Sequence, residues 1–489
     1  MVFYRTVINV KTSDNRRILE VLSVTTLASF IAGFNARLAV VGLPTIAGEI
    51  GADVWSMIWI IQGFMLGSTI FQLIIGRLTD LYGRVRLFTI GIGIFTIGAL
   101  LSGLSSNPAF LIISRTVQGI GGAFLMSISI TILTDNVPPS RLGTWLGVNQ
   151  VAWRIGALLG LTLSGFIIDL LSWHWIFLIQ VPIGVIVLFW TRIRLKEVYK
   201  PKENIFIDIK GFTFFTLSLT LSLIGLTIVG YGYRDYSYIL LALSVAFLAI
   251  FVYSELKTTH PALDLRLFKI WQFSGGIISQ LLYSIGFGAS LTLLAIYMQS
   301  VLGYSPSETG ILLVPYEASY LVFGIIGGRL SDILGFAPVN VAGLAVGSIS
   351  LFLLSLAGSI PMIIFAEVIL GVGTGLFVSP NTSSIMTSVP PDRRGVASSI
   401  RAVSFNVGFA ISLNIAILTM TQKIPYTLAS HLIVLGGILP SDSSLTIELT
   451  ELGEAIKHSF LVQALIMALA IPFSISRMKK VEMNKKVIK

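Results

Sequence analysis

The chain has 489 residues, 54% of them hydrophobic and 11% charged, with a formal net charge of +10. A soluble protein carries about a quarter charged residues, so a water-covered globule is excluded, and a mean hydropathy of +0.88 calls for lipid over most of the surface. There is no Cys for a disulfide or a cysteine-ligated metal, and the positive charge lies in short loops between apolar runs, which excludes a nucleic-acid surface.

Apolar runs of roughly 20 residues, long enough to cross hydrocarbon, recur along the chain. They begin near residues 19, 54, 85, 108, 142, 173 and 209, then near 237, 273, 307, 336, 361, 396 and 459. The first run, about residues 19–43, is too long for a signal-peptide core and follows a polar, basic segment, so no cleaved leader is expected. About fourteen helices are predicted, and an even number puts both termini on one side.

Lys and Arg decide which side. They cluster in every second loop: Arg16 and Arg17; Arg77, Arg84 and Arg86; Arg141; Arg192, Arg194, Lys196, Lys200 and Lys202; Lys257, Arg266 and Lys269; Arg329; Arg393 and Arg394. Arg477, Lys479 and Lys480 follow in the tail, whereas the alternate loops hold little beyond Arg234 and Lys423. A multi-pass cell-membrane protein with both termini cytoplasmic is expected. Its longest outer loop, residues 421–457, carries Asp442, Glu448, Glu451 and Glu454.

Three segments repeat in one register. Gly76-Arg-Leu-Thr-Asp80-Leu-Tyr-Gly83 returns as Gly328-Arg-Leu-Ser-Asp332-Ile-Leu-Gly335, Gly119-Ile-Gly121 as Gly371-Val-Gly373, and Val137-Pro-Pro-Ser-Arg141 as Val389-Pro-Pro-Asp-Arg393. Each second copy lies about 252 residues after the first, without a gap. Both copies put the basic motif on the same side, so the repeat is parallel, about an axis along the membrane normal. The expected organisation is a cytoplasmic segment at 1–17, a six-helix bundle at 18–200, two inserted helices at 201–257, a second six-helix bundle at 258–476 and a cytoplasmic tail at 477–489.

These residues resemble the major facilitator superfamily. Its motif between the second and third helices, Gly-x-Leu-x-Asp-Arg-x-Gly-Arg-Arg, is met by Gly76, Leu78, Asp80, Gly83, Arg84 and Arg86, with Leu81 in place of the first Arg. Arg115, Gln118, Gly119, Gly121 and Gly122 match a fourth-helix pattern, and residues 173–182, 263–268 and 302–306 resemble the fourteen-span drug:proton antiporters. In the fifth-helix antiporter motif Gly156 and Gly160 are present, but Leu161 stands where Pro is expected and Gly165 falls one place late. The first helix reads Phe34-Asn35-Ala36-Arg37, without the acid usual there. The resemblance implies an all-α major facilitator fold, a small-molecule substrate, protons as coupling ion and no cofactor; a monomer is expected.

Charge at membrane depth is expensive and marks function. Arg37, Arg115, Arg154, Glu317, Glu367 and Arg401 are so placed, but Arg401 falls only about one turn from the cytoplasmic end, where snorkelling to the interface is the expected account. Glu317 and Arg154 fall near the bilayer centre and, with Arg37 and Asn35, form the candidate substrate or proton site; the alternative is a structural ion pair inside one half. Arg115 and Glu367 occupy equivalent places in the two repeats and are candidates for an outer gate, unless each pairs within its own bundle. Gly76, Asp80, Gly83, Arg84 and Arg86, with Arg329 and Asp332, make the cytoplasmic gate motif, in which family resemblance implies that Asp80 caps a neighbouring helix and latches the inner side. Gly119, Gly121, Gly122, Gly156 and Gly160 are the helix-packing motif. Trp59, Trp153, Tyr283, Phe287, Met298 and Tyr316 are candidates to line an apolar pocket.

No phosphate-binding loop and no zinc spacing occur, so neither ATP nor a metal is expected to drive the protein. The leading expectation is export of amphipathic or cationic compounds by proton antiport. A metabolite or sugar permease and a non-transporting membrane sensor are the alternatives.

Overall fold

The computed structural model describes the backbone of residues 2–137, 139–197, 208–258, 261, 263–390, 393–435 and 443–487, and not the side chains of 1–16, 139–144, 434–435, 443–447 and 479–487. The side chains of Arg16, Arg141, Lys479 and Lys480, and all of Lys200, Lys202, Asp442 and the expected boundary at 200/201, lie outside the described residues.

Among the described residues, fourteen helices are long and apolar enough to cross a membrane: α1 Arg17–Ile50, α2 Val54–Gln72, α3 Arg84–Gly103, α4 Pro108–Asn136, α5 Trp145–Leu170, α6 His174–Arg194, α7 Ile209–Val229, α8 Arg234–Lys257, α9 Trp271–Val301, α10 Pro306–Leu334, α11 Phe336–Ser355, α12 Ile360–Thr387, α13 Arg394–Met420 and α14 Glu448–Met478. Hydrocarbon offers the backbone no hydrogen-bond partner, so each spanning segment must satisfy its own amides, and helices do this. Among the described residues there is no strand.

Helices α1–α6 and α9–α14 form two six-helix bundles. The inserted pair, α7 and α8, packs together and leans through α7 on α2 and α13. There Phe215, Leu219 and Leu223 join Leu66, Ile70 and Ala410 in one apolar cluster. The repeat is visible at its turns. Gly83 and Gly335 have φ of 90° and 85°, a left-handed conformation that favours glycine, and each ends one helix as the next begins.

The motif glycines lie where backbones nearly touch. A Cβ on Gly156 would meet the Phe30 carbonyl, and one on Gly160 the Phe34 carbonyl, so α5 crosses α1 at close range. On α4, Gly119 faces the backbone of Phe64 and Gly121 that of Phe95, while Gly122 meets the Phe64 ring. Backbone cannot yield as a flexible side chain does. Gly156→Ala is therefore expected to cost about 1–3 kcal/mol, read as a lowered melting temperature in detergent. Gly147→Ala, with nothing within 4 Å of its Cβ position, is the control that leaves stability unchanged or slightly raised.

Candidate functional site

Two membrane-spanning helices are interrupted, and the breaks set up the site. Helix α10 interrupts at Leu313 between Pro306–Leu312 and Val314–Leu334. Pro315 has no N–H to donate and starts the second segment, which puts Glu317 in a first turn, where the helix dipole favours a carboxylate. Helix α9 interrupts at Gly288 and Ala289, and the Ala289 amide donates to Ser412 Oγ of α13 at 2.9 Å.

Across the boundary between the bundles, Arg37 Nε of α1 donates to Glu317 Oε1 at 2.8 Å, with the two residues 7% and 3% exposed. The alternatives left by the sequence were a functional site or an ion pair inside one half; the observed pair joins the two halves. Aromatic rings close around it. Tyr283, Phe287 and Tyr316 stack in series at 5.5 Å spacings, and the Arg37 guanidinium lies 6.0 Å from the last two. Of the other pocket candidates, Trp59 and Met298 are buried in separate core clusters.

Arg154 does not reach Glu317. Its guanidinium lies 3.7 Å over the Tyr320 ring, beside Gly324, whose missing side chain leaves room for it. Tyr320 sits one turn after Tyr316 and was missed in the sequence; the i, i+4 tyrosines following Pro315 were the available signal.

Of the two readings left open for Arg115 and Glu367, the pairing between them is not made in this structure. Arg115 donates to Asn35 Oδ1 at 2.8 Å, Gln118 Oε1 at 2.6 Å and the Ile60 carbonyl at 3.3 Å, all in its own half. Asn35 thus serves Arg115 and not the ion pair. Glu367 is fully buried, and among the described residues neither of its carboxyl oxygens has a hydrogen-bond partner.

The bundles are sealed at the end opposite the basic loops. Helix Tyr426–Leu435, within the stretch expected to be an outer loop, buries Ala429, Leu432 and Ile433 between the halves. Its residues take the free amides of α2: Trp55 N donates to Tyr426 Oη at 2.7 Å and Val54 N to Ser430 Oγ at 3.2 Å, while Asp53 Oδ1 accepts from Ser56 N at 3.0 Å. Tyr231, between α7 and α8, donates to Asp53 Oδ2 at 2.5 Å and accepts from Tyr426. Further links are Gln299 Nε2 to the Val41 carbonyl at 2.8 Å and Ser307 N to Asp169 Oδ2 at 2.9 Å.

At the basic end, Glu197 rather than Asp80 caps α3, accepting from Arg84 N at 3.1 Å and Val85 N at 2.8 Å. Arg84 pairs with Asp135. Among the described residues Asp80 and Asp332 make no hydrogen bond or ion pair, and Gly76, Arg86, Arg329 and Asp332 are exposed.

Two helical bundles joined by a buried ion pair and closed at one end have the build of a membrane transporter. The Major Facilitator Superfamily model matches residues 25–263 and 276–476, and the chain belongs to that superfamily. It is 31% identical over 398 residues to "Riboflavin transporter RibZ" of Clostridioides difficile, covering 80% of this chain and 86% of that one. It is 29% identical over 411 residues to "Multidrug resistance protein Stp" of Mycobacterium tuberculosis, covering 81% and 75%. The structure of the xylose transporter XylE from Escherichia coli, in a partially occluded inward-open conformation, superposes with a TM-score of 0.62 at 14% identity over 94% of this chain and 97% of that one, a likeness of fold.

Two outcomes are expected. Because Arg115 and Glu367 have separate surroundings, the exchange Arg115→Glu with Glu367→Arg should be no better in transport or melting temperature than the worse single change. At the seal, burial raises the Asp53 carboxyl, but hydrogen bonds from Tyr231 and Ser56 outweigh it and hold the group below its usual range. A depressed carboxylate stabilises above its unfolded value, about 3.9, and loses that contribution as pH falls through the lower folded value. Asp53→Ala should therefore cost about 1 kcal/mol at pH 7, with the gap in melting temperature to wild type closing below about pH 4.

Proposed function

We propose that the chain exports small amphipathic compounds from the cytoplasm by proton antiport, with both termini cytoplasmic in the cell membrane and a monomer as the working unit. The observation that carries this reading is the Arg37–Glu317 pair, which ties the two halves at the centre. While Glu317 is ionised, the pair holds the bundles together. A proton delivered to Glu317 removes the attraction, frees Arg37 and lets the halves part. Proton and substrate then act on one equilibrium, as coupling demands. Arg84, Arg86 and Asp80 at the basic end are the counterpart latch for the state in which that end closes. A relative named as multidrug resistance protein supports efflux. A relative named as a riboflavin transporter favours a second reading, a metabolite carrier on the same scaffold.

Removing one partner of a buried pair strands the other, at about 3–5 kcal/mol, so the informative variant removes both charges. Arg37→Gln with Glu317→Gln should fold, bind substrate and exchange it across the membrane, yet build no substrate gradient from an imposed pH gradient in proteoliposomes. Full gradient-driven accumulation by the double variant removes Glu317 as the coupling group. A wild type indifferent to the pH gradient leaves the metabolite-carrier reading.

A further inference from the structure

The charges and free hydrogen-bonding groups around the ion pair define what the site receives. Two guanidiniums lie on one tyrosine pair, Arg37 at 6.0 Å from the Tyr316 ring and Arg154 at 3.7 Å over the Tyr320 ring, and a third, Arg401, stands on α13, which packs against α2 of the other half. The carboxylate among them is Glu317, and it is taken by Arg37. Arg154 and Arg401 are thus left with an uncompensated charge of two. Both are partly exposed, and both lie toward the basic end, at about 14 and 10 Å along their helices from Trp145 and Arg394 at 1.5 Å per residue.

The free polar atoms agree in kind. Arg154 Nη1, Arg401 Nε, the Trp153 indole nitrogen and the Tyr316 hydroxyl are buried without a hydrogen-bond partner among the described residues. Each carries a hydrogen to donate. Buried donors without acceptors are costly and call for an explanation. Other buried arginines spend more of their donors: Arg115 gives hydrogen bonds to Asn35, Gln118 and Ile60, and Arg477, whose Nε is likewise free, gives Nη1 to Asn381 Oδ1 at 2.7 Å and Nη2 to Ser384. Free buried donors occur elsewhere in the protein too, but those of Arg154 and Arg401 belong to two cations that lack counter-ions among the described residues. A cationic substrate would add a third like charge and offer no acceptor. A carboxylate offers two oxygens to guanidinium groups in the geometry they favour, and the Tyr320 ring beside Arg154 suits an aromatic body.

We propose that the substrates of this site are aromatic carboxylates, received by Arg154 and Arg401, with Trp153 and Tyr316 as further donors. This rests on the transporter reading and narrows its substrate from amphipathic compounds in general to organic anions. It also sets the charge moved. One proton exchanged for one monoanion moves two charges in the same electrical sense, whereas exchange for a monocation moves none.

The test uses the purified full chain in proteoliposomes, with p-aminohippurate as the aromatic monocarboxylate and ethidium as the aromatic cation. With the interior acidic, wild type should accumulate p-aminohippurate, and an interior-positive potassium diffusion potential should accelerate it several-fold. Ethidium should accumulate at least tenfold less. Arg154→Gln should weaken p-aminohippurate uptake at least tenfold through KM, and Arg154→Lys should restore part of it; a merely structural arginine would lower both substrates equally and leave KM unchanged. Ethidium accumulation without p-aminohippurate uptake overturns the proposal and leaves proton antiport standing. Downhill p-aminohippurate flux indifferent to the pH gradient keeps the proposal and overturns antiport. No movement of p-aminohippurate in any mode overturns the substrate class.

Discussion

Lipid supplies neither hydrogen bonds nor counter-ions, so a polar group this chain carries into the membrane is costly wherever it finds no partner inside the protein. For the backbone the answer is fourteen helices. For the side chains the answers divide in two. Arg115 is fixed by two amide side chains and a carbonyl within one half, and Arg477 by Asn381 and Ser384 within the other. These partners stay on neighbouring helices of one bundle and survive any movement between the bundles. Arg37 is different, because its partner Glu317 belongs to the other bundle.

The repeat shows how the same scaffold came to hold two different charge arrangements. With an offset of about 252 residues, Phe64 corresponds to Tyr316, and each lies under a guanidinium, Arg115 at 4.7 Å and Arg37 at 6.0 Å. In the first half the arginine and the ring share one bundle. In the second the arginine is contributed by the opposite bundle, and the residue after the ring is Glu317 where the first half has Met65. Asn35, which serves Arg115, corresponds to Phe287, a member of the aromatic stack. Residues that hold one bundle together in the first repeat therefore have counterparts, in the second, at the meeting of the two.

The scaffold was legible in the sequence because its signals are long or repeated. Apolar runs, alternating Lys and Arg loops and the duplicated Gly76–Gly83 segment each average over many residues. The glycines, too, could be read as close-contact positions before any partner was known. The site was legible only in its membership. Arg37, Glu317 and Arg154 are rare charges in apolar runs and identify themselves, but depth along a helix does not fix the angle around it. Arg154 and Glu317 were therefore matched by height, and the structure matches Glu317 with Arg37 and Arg154 with Tyr320. The seal formed by Tyr426–Leu435 was hidden for another reason: ten residues between longer spans read as loop, and their burial comes from contacts with distant α1 and α2.

An ion pair between two moving bodies is useful only if it can be broken at modest cost. Buried and intact, it resists separation by several kcal/mol, and the seal at Asp53, Tyr231 and Tyr426 adds to that resistance. Both must yield before the closed end can open. The seal is made of hydrogen bonds at the margin of the membrane, where water can replace each lost partner, so its opening is inexpensive. The ion pair has no water to turn to, and something chemical must take the place of one partner. A proton on Glu317 removes the charge that holds Arg37. On the proposed reading, an anionic substrate near Arg154 and Arg401 would compete for the same guanidinium field from the other side. Either event weakens the pair, and a ligand that binds both states equally would shift nothing. On the same reading, the centre acts as a switch rather than a rivet because its cations outnumber its carboxylate, so the pair that holds the halves together can be answered by something that arrives from outside.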